Sequence, residues 1–133
     1  MPELPEVETT VSGLKKLINK EITKIRIYST KLRYNIPKNI TKILKTNKFT
    51  KIYRIGKYII ADLSDNYCIV FHLGMSGRLR IVDKIKYKKT SHDHIVIQFK
   101  NSILIFNDVR KFGFVDLCFK NQLKNKKYMK ILG

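Results

Sequence analysis

The head of the chain holds residues that can do covalent chemistry. Initiator methionine is usually removed ahead of a small residue, which would leave Pro2 as the terminus with a secondary amine. An α-amine has a pKa of about 8, far below a lysine, so more of it is unprotonated at neutral pH. Neighbouring cations and partial burial would lower it further. Such an amine attacks an electrophilic sugar carbon and forms an imine, as catalytic lysines do. Glu3 beside it can donate or relay a proton to the departing oxygen. Taken alone, the same string also reads as a plain N-terminus ahead of a helix.

The elements that would position these groups follow from the spacing. Pro5 suits a first helical position, where its missing N–H is no loss, and Glu6 and Glu8 favour the positive end of the helix dipole. Val7, Val11, Leu14 and Ile18 recur at helical spacing and predict a helix through about Asn19. From Glu21 the period changes to two, with Ile25 and Ile27 alternating against Lys24 and Arg26. Ile40, Ile43 and Leu44 predict a short second helix between Pro37 and about Asn47. Strand-like runs follow at Phe49–Ile55, Tyr58–Leu63, Tyr67–Leu73, Arg78–Val82, Ile95–Lys100, Ile103–Asn107 and Phe114–Phe119. Asp65-Asn66, Gly74 to Gly77 and Asn101-Ser102 punctuate them as turns. The expected fold is mainly β with two helices, an α+β chain. Its body would be a two-sheet antiparallel sandwich or flattened barrel flanked by the N-terminal helix.

The 133 residues carry 28 Lys+Arg against 10 Asp+Glu, a formal charge of +18, with 44% hydrophobic residues. That length suits one domain with a real core, and the apolar fraction excludes intrinsic disorder. No apolar run approaches the roughly 20 residues of a membrane helix. Between Glu21 and Asp62 there are eleven cations and no acid, and Lys120, Lys124, Lys126, Lys127 and Lys130 crowd the tail. Self-repulsion on this scale points to a polyanionic partner bound through phosphates. Codon drift toward Lys, Ile and Asn is the other source of such lysines. Cys68 and Cys118, each among apolar neighbours and outside any Cys/His cluster, read as buried reduced thiols, so no metal site is expected in this chain.

The opening string Met1-Pro-Glu-Leu-Pro-Glu-Val-Glu-Thr-Thr10 resembles the amino terminus of formamidopyrimidine-DNA glycosylases. Arg54-Ile-Gly-Lys-Tyr58, His72-Leu-Gly-Met-Ser-Gly77, Asn107-Asp-Val-Arg-Lys-Phe-Gly113 and His92-Asp-His94 are similar to further stretches of that family, and run in family order. The resemblance implies base-excision DNA repair by a bifunctional glycosylase and abasic-site lyase. Its partner would be double-stranded DNA holding an oxidised purine, such as 8-oxoguanine or a formamidopyrimidine, or an abasic site.

In that light Pro2 would be the nucleophile, Glu3 the acid that opens the sugar ring, and Lys57 a lysine for β-elimination and phosphate contact. Met75 would fill the gap left by the extruded lesion, Phe112 would wedge the duplex, and Arg110 would pair with the orphaned base. Wedging and base extrusion make these residue types physically sensible. His72 and His92 would face phosphates. By local pattern alone Phe112 is as readily a core residue, and either histidine a hydrogen-bonded structural one. Lys111 stands where the family often has Arg, and keeps the charge.

The resemblance covers the family's N-terminal domain. Residues 1–118 are expected to form that catalytic domain and residues 119–133 to begin a Lys-rich linker. The second domain would then be missing, with its helix–two-turn–helix element, its zinc finger and the arginine of δ-elimination. No cofactor is expected in this chain itself. A cytoplasmic, DNA-associated monomer with no membrane contact is expected. The alternative reading is a non-catalytic nucleic-acid-binding remnant of a truncated repair gene.

Overall fold

The computed structural model describes residues 3–131. Helix α1 (Leu4–Leu14) begins at the N-cap Glu3, whose carbonyl accepts the N–H groups of Glu6 and Val7 at 3.0 and 3.1 Å. Glu3 makes no side-chain capping bond, so its carboxyl group is not consumed by the helix start. Val7, Val11 and Leu14 form the buried stripe that the spacing predicts. The α-helix is shorter than predicted: Lys15–Leu17 tighten into a 3₁₀ turn, and Asn19 adopts a left-handed φ of 65°. That turn redirects the chain, and the Asn19 N–H reaches the Phe49 carbonyl at 2.8 Å.

Eight strands follow: β1 (Lys24–Ile27), β2 (Phe49–Ile55), β3 (Tyr58–Leu63), β4 (Tyr67–His72), β5 (Gly77–Asp83), β6 (Asp93–Gln98), β7 (Ser102–Asp108) and β8 (Phe114–Phe119). The second helix, α2 (Ile40–Lys45), is trimmed at its start, where Pro37 and the Asn39 cap leave only Ile40 and Leu44 to bury. All strand pairs are antiparallel and form two four-stranded sheets, β1-β6-β7-β5 and β2-β3-β4-β8. The sandwich with a leading helix is therefore the observed fold.

The main core lies between the sheets, where Phe71 stacks on Phe106 at 6.1 Å and Phe49 meets Phe99 at the same spacing. Strands β3 and β4 are buried on both faces, which is why they read as continuous apolar runs rather than alternating ones. Their inner residues Ile59, Ala61, Ile69 and Phe71 face the main core. Their outer residues Ile60, Cys68 and Val70 form a second cluster with Cys118, Leu123 and Met129. Leu123 and Met129 come from the tail, where Lys120–Asn125 form a 3₁₀ segment and Lys127–Lys130 a short helix, α3. The lysine-rich tail is thus folded over the outer face of this sheet. Cys68 and Cys118 are paired directly across β4 and β8, free and buried, with sulfurs 3.8 Å apart. No helix among the described residues is long and apolar enough to cross a membrane.

Candidate nucleic-acid interface

Antiparallel pairing brings the β2–β3, β4–β5 and β7–β8 connections to one end of the sandwich. Three residues with left-handed backbones mark them: Gly56 (φ 57°), Gly74 (φ 59°) and Lys111 (φ 57°). For a lysine that conformation costs roughly 1 kcal/mol or more, so something must hold it. The holder is Asp108, which is completely buried. Its Oδ1 accepts the Lys111 N–H at 3.1 Å and the Ser76 hydroxyl at 2.6 Å, while Oδ2 accepts the Gly113 N–H at 2.9 Å. Ser76 Oγ in turn accepts the Arg110 N–H at 3.0 Å. One carboxylate therefore fixes the β7–β8 loop and ties it to the loop carrying Met75.

The backbones of the two loops also touch. A Cβ on Gly74 would stand 2.5 Å from the Gly113 nitrogen, and one on Gly113 would collide with the His72 carbonyl. From this platform Met75 (49% exposed) and Phe112 (45% exposed) project into solvent, and the Arg110 guanidinium lies 5.2 Å over the Phe112 ring. Burying such a group yields about 2 kcal/mol, so leaving both exposed on rigid loops marks a surface kept for something else. The core-facing alternative for Phe112 is thereby set aside.

A second set of contacts holds the β2–β3 turn, where Lys57 sits half-buried. Arg54 makes a charge-assisted bond through Nε to the Glu8 carboxylate, and its Nη1 donates to the Gly56 carbonyl at 3.2 Å. The guanidinium thus links α1, whose N-cap is Glu3, to the turn carrying Lys57. Pro2 lies outside the described residues.

His72 ends β4 at this same rim. Its ring stacks on Phe114 with centroids 5.3 Å apart, meets Tyr58 at 4.9 Å, and accepts the Gly74 N–H at Nδ1 over 3.1 Å. Burial, then the Arg33 and Lys57 cations, hold its pKa below 6.5. A neutral ring accepting at Nδ1 carries its proton on Nε2. His92, by contrast, is exposed, immediately before β6, and its carbonyl accepts the Asp108 N–H at 3.0 Å.

Two residues quoted within His92-Asp-His94 but given no role from the sequence complete the platform. His94 is buried, its Nε2 against the Asp108 carbonyl at 2.7 Å and its Nδ1 against the Ser29 hydroxyl at 2.6 Å. Asp93 is buried too, accepting from Tyr87, Thr90 and Asn107. Burial works to raise its pKa, but these bonds outweigh it and leave the carboxyl below 3.8.

Between α1 and the β4–β5 turn lies a cleft of about 840 Å³, lined by Glu6, Thr10, Met75, Arg78, Arg80 and Asn107 among others. Ion pairs among the described residues join Arg54 to Glu8, Lys86 to Asp83 and Lys126 to Asp116, so Arg78, Arg80, Arg110 and Lys111 meet no carboxylate there at salt-bridge distance. The rim is cationic, rigid and studded with two exposed apolar side chains. That combination suits a duplex whose backbone is neutralised and whose base stack is entered. No group of three or more His, Cys, Asp or Glu able to hold a metal ion is found among the described residues.

Known proteins share this sequence pattern and this fold. The sequence pattern described as the formamidopyrimidine-DNA glycosylase N-terminal domain matches residues 1–115. The formamidopyrimidine-DNA glycosylase of Rickettsia canadensis is 45% identical over 136 residues, which take in 100% of this chain and 49% of that protein. Its counterpart from the Wolbachia of Culex pipiens is 41% identical over 127 residues, covering 94% of this chain and 46% of that one. Among solved structures, Lactococcus lactis Fpg in complex with DNA containing an abasic site superposes with a TM-score of 0.86 at 30% identity, over 97% of this chain and 48% of that one. The same enzyme with FAPY-dG-containing DNA gives 0.85 at 31% identity. The chain spans about half the length of the curated relatives it matches.

Proposed function

This chain belongs to the formamidopyrimidine-DNA glycosylase family through its N-terminal domain, and from that premise we propose that it acts in base-excision repair on duplex DNA bearing an oxidised purine or an abasic site. Residues 1–118 carry every proposed group, and the described part of the tail after them packs back on the outer sheet face through Leu123 and Met129. The Pro2 amine bonds to the sugar carbon as the bond from that carbon to the damaged base breaks. Glu3 gives a proton to the ring oxygen, the ring opens, and the Pro2 nitrogen, having lost its proton, is joined to the sugar carbon as a cationic iminium. Loss of the neighbouring sugar proton then expels the 3′ phosphate and nicks the strand, with Lys57 acting in that elimination and on the phosphate. The zinc finger known in the family is assigned to the half of the relatives' length that this chain does not match.

Met75 fills the space of the extruded nucleotide, Phe112 wedges the stack and Arg110 faces the orphaned base, while His72 and His92 contact phosphates. The neutral His72 ring suits that role because Nδ1 is committed to Gly74 and the Nε2 proton remains to donate. The observation that carries the reading is the Ser76–Asp108 tie, which presents Met75, Arg110 and Phe112 as one rigid unit beside the Lys57 turn. The protein is expected to bind as a monomer.

Fluorescence anisotropy with a duplex carrying an abasic-site analogue, against the same undamaged duplex, tests this. Wild type is expected to prefer the abasic duplex, and a Met75→Ala/Phe112→Ala double variant to lose about tenfold of that preference. Equal affinity for both duplexes in wild type would instead support a non-specific nucleic-acid-binding remnant.

A further inference from the structure

The residues that follow β8 do more than cover a sheet. Phe119 stacks on Tyr67 at 4.5 Å, and Lys120 bonds to the Asn66 and Leu63 carbonyls at 2.7 and 2.8 Å, pinning the start of the tail. Leu123 and Met129 are buried against Ile60, Val70 and the cysteine pair. Between them and the rim stands Tyr128. Its ring lies 5.2 Å from Tyr58 and 5.1 Å from Phe114, the two rings that enclose His72. Its hydroxyl donates to Asp116 Oδ2 at 2.6 Å, and the same carboxylate oxygen takes the Lys126 ammonium at 3.1 Å.

Register explains why these groups meet. Tyr58, His72 and Phe114 are consecutive cross-strand partners on β3, β4 and β8, so all three project from the outer face, at its rim end. Tyr58 also follows Lys57 directly in the chain. A ring pressed onto Tyr58 and Phe114 from the tail closes the side of the stack that the sheet leaves open. Aromatic contacts of this kind contribute beyond their buried area and hold ring orientation.

We propose that Tyr128 is a positioning residue for the reacting surface: it clamps the Tyr58–His72–Phe114 ring stack from outside, fixing the His72 imidazole and the turn that carries Lys57. The tail is then a strap joining the residues before position 131 to the phosphate-facing side of the site. This rests on the proposed roles of His72 and Lys57. The groups facing His72 are the Tyr58 phenol on β3, the Arg33 cation before α2, the Lys57 ammonium on the β2–β3 turn and the Gly74 N–H. Phe114 on β8 adds no charge, and the phenol of Tyr128 lies one ring further out.

The test uses the 133-residue chain with Tyr128→Phe and Tyr128→Leu, the latter removing the ring while keeping an apolar cover on the sheet. The His72 imidazole is titrated by NMR, and nicking of an abasic duplex is followed across pH. Tyr128→Leu is expected to move the His72 midpoint upward by about half a unit or more as water enters the stack. Its single-turnover nicking rate is expected to fall about tenfold, with affinity for an abasic-analogue duplex within about twofold. Tyr128→Phe, which keeps the ring, is expected to restore both. An unchanged His72 midpoint in Tyr128→Leu, or an equal loss in Tyr128→Phe, overturns the proposal. Absence of nicking in wild type would count against the repair reading alone, since the imidazole titration decides the strap without any activity.

Discussion

The Ser76 hydroxyl donates to the Asp108 carboxylate at 2.6 Å across 32 residues of sequence and accepts the Arg110 N–H at 3.0 Å, which joins the loop of Met75 to the loop of Arg110 and Phe112. Both loops are short; Leu73 anchors the first in the core, while Met75, Arg110, Lys111 and Phe112 at the tips are exposed. Their relative placement depends on a buried charge that has all its hydrogen bonds.

Replacing Asp108 separates two effects. In Asp108→Asn one oxygen becomes an NH₂ group, which then faces the Gly113 N–H or the Ser76 and Lys111 donors and leaves a buried donor unsatisfied, at about 2 kcal/mol. Asp108→Ala removes the acceptor for three donors and is expected to cost about 3 to 5 kcal/mol. Urea unfolding measures both, with the midpoint falling and the slope unchanged. Both variants are also expected to lose the preference for an abasic duplex.

Glycine substitutions give opposite signs at two sites. Gly74→Ala meets a left-handed backbone and the Gly113 nitrogen at 2.5 Å, and is expected to destabilise by about 2 to 4 kcal/mol. Gly13→Ala lies within α1 with nothing inside 4 Å, and is expected to stabilise by about 0.5 to 1 kcal/mol. Thermal unfolding of the two variants side by side checks the pair.

These contrasts show what could be read from the chain and what could not. The strands were legible because Ile25 and Ile27 alternate with cations and because Gly, Asn and Asp punctuate the runs between them. The rim residues were legible through motifs, and the structure brings Glu3, Lys57, His72, Met75, His92, Arg110 and Phe112 to one end. Asp108 lay inside a quoted motif, yet its role depends on Ser76, which no local pattern connects to it. The tail read as a linker because five lysines mask Leu123 and Met129, whose burial needs a face built from β3, β4 and β8. The end of α1 was missed because Ile18 continues the helical spacing while Asn19 turns the backbone left-handed.

Acid should weaken the rim before the rest of the fold. His72 has its pKa lowered from 6.5 by burial, then by Arg33 and Lys57, so the unfolded chain binds its proton more readily than the folded one. Its neutral form is fully accommodated above 6.5, and stability is lost as pH falls from there through the lowered folded value. Protonation also removes the acceptor for the Gly74 N–H. The slope of unfolding free energy between pH 7 and pH 5 is expected to be shallower in His72→Gln than in wild type. Asp93, held below 3.8, contributes only in a lower window.

Borohydride trapping on an abasic duplex tests the central claim most directly. Mixed with that DNA and reductant, the wild-type chain is expected to form a covalent protein–DNA adduct, mapped by peptide mass spectrometry to Pro2 and lost in Pro2→Gly. No adduct with wild type, or one of full yield in Pro2→Gly, would contradict the account.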